Sequence, residues 1–199
     1  MSELEQEKRV VSIYTESNPN PNSMKFVANF LVVPEGESYD FPDLKSGEFA
    51  PLAAELFKSF DFVDRVFYMN NFITVTKNPD IDWIEVRSIV SEFIKSFLES
   101  EQPILIDGVA EAPDVEVTQE ADSDIITQIK DVLDEYIKPA VEMDGGAITF
   151  ESYNDGVVKV LLQGSCSGCP SSTITLKAGI ESLLKRAIPE IQSVEAEGV

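Results

Sequence analysis

Two cysteines, Cys166 and Cys169, stand three residues apart in "LLQGSCSGCPSSTITL", a stretch without a charged side chain. They are the only thiols of the chain. A thiol with a pKa of about 8.5 is only a few per cent ionised at neutral pH, and a neighbouring helix N-terminus lowers that value. A helix starting near Pro170 would offer such a terminus, with unpaired N–H groups and a partial positive charge. Gly164 and Gly168 let the backbone aim both sulfurs at one point. The loop also lacks acids, so the pattern favours a protected thiolate pair.

Three chemistries compete for such a pair. A structural disulfide would close a very small loop in a reducing compartment, which weighs against it. A redox-active dithiol also sits before a helix, but the upstream hairpin and the lack of a βαβ pattern speak against a thioredoxin-like setting. Metal binding is the third. Soft thiolates select zinc, copper(I) or iron–sulfur clusters, and tetrahedral zinc or a cubane cluster takes four ligands. One chain supplies two, so this reading asks for a homodimer sharing one centre. The spacing alone leaves all three open.

The totals exclude more than they select. With no histidine among 199 residues, there is no Ser-His-Asp or Cys-His relay, no His-liganded zinc and no Rieske-type centre. A formal net charge of −21 repels phosphate backbones and anionic lipid, which argues against nucleic-acid and membrane-surface partners. No apolar run reaches the length of a membrane span. The acidic start, "MSELEQEKRVV", is unlike a secretory or transit peptide. The expected location is cytoplasmic, with an organelle matrix after presequence removal also compatible.

The length suits two small domains. In the first, "VVSIYT" and "MKFVANFLVV" read as strands around a turn-forming "ESNPNPNS", and "PEGESYDFPDLKSGEFA" reads as loop. "PLAAELFKSF" is a helix opened by Pro51, and "FVDRVFYMNNFITVTK" is a hairpin turning at Asn70-Asn71. Asp82 is placed as an N-cap with Glu85 three residues on, ahead of a stripe made by Val86, Ile89, Val90, Phe93, Ile94 and Phe97. "GVAEAPDVEVTQEADSD" then has acids, a proline and no base, and reads as a flexible, self-repelling linker.

The second domain restarts at Ser123. Ile125, Ile126, Ile129, Val132, Leu133, Tyr136 and Ile137 form a helical stripe that Pro139 helps to end. "EMDGGA" is a turn, and "AITFESYNDGVVKVLLQ" is a hairpin by its Asp155-Gly156 signal. The cysteine loop and a helix to about Ala187 follow, then a closing strand at "IQSVEA". The expected class is therefore α+β: two small α/β-sandwich-like domains, each a short sheet packed by helices. Their expected bounds are 1–106 and 123–199, with 107–122 as linker.

"QGSCSGCPSSTITLKAGIESLLKRAIPEI" closely resembles the C-terminal domain of the NifU-like (Nfu) iron–sulfur scaffold and carrier proteins, and "IKPAVEMDGGAITF" resembles the segment before it. "NPNPNSMKF", "PLAAELF", "FITVTK" and the "DW" before the long helix are similar to the Nfu N-terminal domain. Three positions depart from the family pattern: Lys138 stands where arginine is common, Ala147 where a further aspartate is often found, and Asn18 where threonine often precedes the turn. The resemblance implies a 4Fe–4S cluster held between two subunits by Cys166 and Cys169. The cluster would come from upstream assembly machinery and pass to apo iron–sulfur client proteins, a transfer role and not an enzyme's. The acidic N-terminal domain and linker would govern which clients dock. Taken alone, "PNPNSMKF" and "DGG" read as turn chemistry.

Overall fold

A computed structural model of the chain describes residues 10–106, 120–167 and 170–198. The first domain is an antiparallel sheet of five strands, β1 (Ile13–Ser17), β2 (Ser23–Ala28), β3 (Ser38–Phe41), β4 (Val63–Met69) and β5 (Phe72–Lys77). Their order across the sheet is β1-β2-β5-β4-β3. Helices α1 (Pro51–Ser59) and α2 (Trp83–Glu99) cover one face. The core lies between, with Phe26, Tyr68, Leu52, Leu56, Ile73 and Ile94 closed to solvent.

Helix α2 starts where its sequence says it should. Asp82 takes an extended backbone, and its Oδ1 accepts the N–H of Ile84 at 2.8 Å, satisfying one of the orphan donors of the first turn. Trp83 then drops into the core, edge-on to Phe26 with ring centroids 6.0 Å apart. Replacing Asp82 by alanine is expected to cost about 1 kcal/mol of domain stability. Urea titration followed by the fluorescence of Trp83, the only tryptophan of the chain, would measure it.

The second domain has three strands, β6 (Gly146–Asn154), β7 (Val157–Gly164) and β8 (Ser193–Gly198), in the order β6-β7-β8. Helices α3 (Glu120–Val132), α4 (Lys138–Met143) and α5 (Pro170–Ala187) complete it. Alternation along β7 sends Val158, Val160 and Leu162 inward, onto Ile129, Leu133, Ile180 and Leu184. This arrangement is α+β in two domains, as the sequence suggested. The acidic linker falls almost wholly on residues 107–119, outside the described residues, and α3 begins at Glu120, inside the stretch read as linker.

Four local expectations need correction. Residues 34–50, read as loop, contain the edge strand β3 and a 3₁₀ turn, Ser46–Phe49. Ile89, assigned to the core stripe of α2, is exposed, as is Tyr136, assigned to the stripe that opens the second domain. Pro139 does not end its helix. A π-helical turn, Leu133–Ile137, widens the coil just before the proline, and α4 carries on to Met143. A proline inside a helix removes one hydrogen bond and crowds the preceding turn, and a wider turn relieves both. Finally, β7 and β8 are parallel, with Val158 opposite Val194, and α5 connects them. The cysteine loop therefore does sit inside a βαβ unit, and the topological argument against a redox dithiol falls.

Candidate functional site

The end of β7 aims the cysteine loop. Gly164 pairs with Gly146 across the β6–β7 ladder, then turns the chain with a φ of +66°, a conformation that side chains with a β-carbon resist. The N–H of Ser165 reaches the carbonyl of Gly145 at 3.3 Å, and the N–H of Ser167 closes back on the carbonyl of Gly164 at 3.1 Å. The Ser165 hydroxyl donates to the carbonyl of Asp144. These bonds tie the loop to the "DGG" segment.

Gly146 does more than turn. A β-carbon there would lie 2.5 Å from the Gln163 carbonyl oxygen and 3.0 Å from Cys166 Sγ. The missing side chain is what lets β6 pack directly against the thiol. The composition of "DGG" signalled a turn, whereas the second glycine makes room for the candidate ligand.

Cys166 is only 7% exposed and belongs to the core cluster of its domain. Its Sγ lies 3.8 Å from the Ser165 hydroxyl. It also lines a cavity of about 420 Å³ with Ser165, Asp144, Thr175 and Leu176 of its own domain and Pro19 and Asn20 of the first. The loop's own sequence carries no acid, but the fold brings Asp144 to the cavity wall. Burial raises the pKa of that carboxyl, and the positive charge of Lys25 opposes the rise. Cys169 lies outside the described residues, so the pair can be followed only through Cys166. Helix α5 begins at Pro170, directly after it. A soft thiol, a cavity beside it and a helix start downstream fit a thiolate-bound metal centre.

The first domain also reaches this loop. Asn20 Nδ2 donates to the Ser165 carbonyl at 3.0 Å, and Thr74 Oγ1 to the Gly145 carbonyl at 2.8 Å, both buried. The N–H of Gly164 donates to Asp40 Oδ2 at 3.1 Å. Asp40 sits on β3 and is paired with Arg65 at 2.6 Å. Burial, the strongest influence on Asp40, raises its pKa, and the Arg65 charge and the Gly164 N–H pull it back. None of Asn20, Asp40 or Thr74 was singled out in the sequence. Only "PNPN" gave a signal, and it read as a turn.

Comparison with known proteins then decides the family. A model described as "NifU-like domain" matches residues 129–195, and one described as "Scaffold protein Nfu/NifU N terminal" matches residues 13–101. The protein named "NifU-like protein 4, mitochondrial" of Arabidopsis thaliana is 39% identical over 193 residues, which cover 96% of this chain and 68% of that protein. The chain belongs to the NifU-like (Nfu) family. "NFU1 iron-sulfur cluster scaffold homolog, mitochondrial" of Drosophila willistoni is 42% identical over 188 residues, 94% of this chain. The match spans 64% of that relative, just under two thirds of its length. The names of these Nfu relatives place them in mitochondria, which agrees with an organelle matrix and gives no support to the cytoplasmic expectation. The two family segments coincide with the two sheets: one covers β1 to α2, the other the hairpin, the cysteine loop and α5.

Proposed function

We propose that the chain is an iron–sulfur cluster carrier: it receives a 4Fe–4S cluster as cargo, holds it through Cys166 and Cys169, and passes it to apo-proteins without catalysing a reaction of its own. The observation that carries this reading is the place of Cys166, at a strand-to-helix junction and on the wall of a cavity, in a chain with two cysteines and no histidine. A cubane takes four thiolates and one chain offers two, so two copies share one cluster. The family's relatives carry names with the same chemistry, which supports the reading. Upstream assembly proteins would supply the cargo, in an organelle matrix.

Transfer follows from ligand exchange. An incoming client thiol loses its proton, binds iron, and releases one carrier thiolate, which takes up a proton. Repeating this at each iron moves the cluster with no change in its oxidation state. A ligand set split between two chains suits stepwise release, because each chain lets go of two ligands. Reconstitution with iron and sulfide under anaerobic conditions should give a brown dimer with about two irons and two sulfides per chain. A colourless monomer after full reconstitution would overturn the proposal.

A dithiol oxidoreductase is the second reading, and the βαβ unit around the loop favours it. It predicts a reversible Cys166–Cys169 disulfide and no iron. A zinc-bridged structural dimer would instead retain zinc and assemble no cluster. Elemental analysis of protein isolated without oxygen separates the three.

A further inference from the structure

The first domain touches the cysteine loop at the two residues that set the direction of Cys166. Asn20 holds the carbonyl of Ser165, the residue immediately before the cysteine. Asp40 holds the N–H of Gly164, the residue before that. The Asn20 amide is itself fixed, because its Oδ1 accepts the N–H of Asn22 at 2.9 Å and leaves Nδ2 pointing across the domain boundary. Asp40 is fixed by Arg65. Beside them Ala147 is buried in one cluster with Phe67, Phe72, Val27 and Met69 of the first domain. At this position a larger or charged side chain would wedge the domains apart.

We infer that Asn20 and Asp40 are positioning residues of the cluster site: docked on the second domain, they fix the backbone of residues 164–165 and form a wall over Cys166, so that domain docking sets how readily this thiol exchanges ligands. The inference rests on the carrier reading above. Three features carry it. The two hydrogen bonds fall on the peptides either side of the Gly164–Ser165 link, which is itself held by Ser167 and Gly145, so this stretch has little freedom to swing. Pro19 and Asn20 close one side of the cavity that Cys166 lines. And both loop groups would lose a partner on undocking, which costs more for a buried group than for an exposed one.

The test uses the full chain in two states. Without cargo, the rate of Cys166 alkylation by iodoacetamide is followed by mass spectrometry of the peptide. With cargo, the rate of iron loss to a ferrous chelator is followed by colour. Asn20→Asp keeps the oxygen that holds Asn22 but puts an acceptor against the Ser165 carbonyl. It is expected to speed both rates by about tenfold, the scale of one lost buried hydrogen bond. Asp40→Ala should do the same, whereas Asp40→Asn, which keeps an oxygen for the Gly164 N–H, should restore a near-wild-type rate. A general loss of structure would not distinguish these two. Ala147→Asp provides an independent route, by undocking the domains from a site that bonds neither loop residue. Rates unchanged in Asn20→Asp and in Ala147→Asp would overturn the inference. So would Asp40→Asn behaving like Asp40→Ala. If the wild-type chain takes up no iron, the carrier reading fails, and the alkylation rates still decide whether the first domain positions the loop.

Discussion

Replacing Cys166 by alanine is expected to give a protein that stays colourless and iron-free after anaerobic reconstitution, and a second domain less stable by about 1–2 kcal/mol. The first effect is complete because a cubane stripped of one thiolate from each chain keeps only half of its ligands, too few to hold it. The second follows from burial. A loop thiol would contribute little to the core if it faced solvent, but Cys166 is packed with the core cluster of its domain. Removing a buried group about the size of a methylene costs about 1 kcal/mol, and the cavity left behind adds to it. Cys166→Ser fills most of the space and should lose the cargo with a different stability cost, because it buries a hydroxyl. Iron and sulfide assays beside urea unfolding of each variant separate ligand loss from core loss. An alanine variant that still turns brown with a full complement of iron would remove Cys166 from the ligand set.

What the sequence disclosed was local. The Asp155-Gly156 turn is legible because both residues take positive φ, 47° and 83°, as a tight hairpin turn requires. The cap at Asp82 is legible because its bond spans two residues. Edge strand β3 was hidden for the opposite reason. It is four residues long and flanked by glycine, glutamate and proline, and its pairing partner β4 lies more than twenty residues away. The parallel pairing of β7 with β8 was hidden too, since nothing in "IQSVEA" tells which neighbour it will join. Missing β3 also meant missing Asp40, and with it the first domain's hold on the loop. Ala147, noted as a departure from the family pattern, gains a physical meaning only from the fold: among the described residues it is the one of its domain in the apolar cluster with Phe67 and Phe72. The cysteines were legible from type and spacing, but not the burial of Cys166.

Leu184→Ala is expected to cost the second domain about 2–5 kcal/mol, because Leu184 is fully buried in the core that α5 shares with the sheet. Domains carry roughly 0.05–0.15 kcal/mol per residue, so a domain this small can lose half or more of its margin to one such change. Helix α5 follows the cysteine loop, so its anchoring and the loop's geometry share the same core. Leu184→Met, which keeps most of the volume, should cost less than about 1.5 kcal/mol. Trp83 makes the two domains separately readable, since the lone tryptophan lies in the first. Circular dichroism of Leu184→Ala should show an early loss of helix in urea while the Trp83 signal holds to its wild-type midpoint. If both probes move together by the same amount, the domains unfold as one cooperative unit, and the hold of Asn20 and Asp40 on the loop contributes to folding itself as well as to the presentation of Cys166.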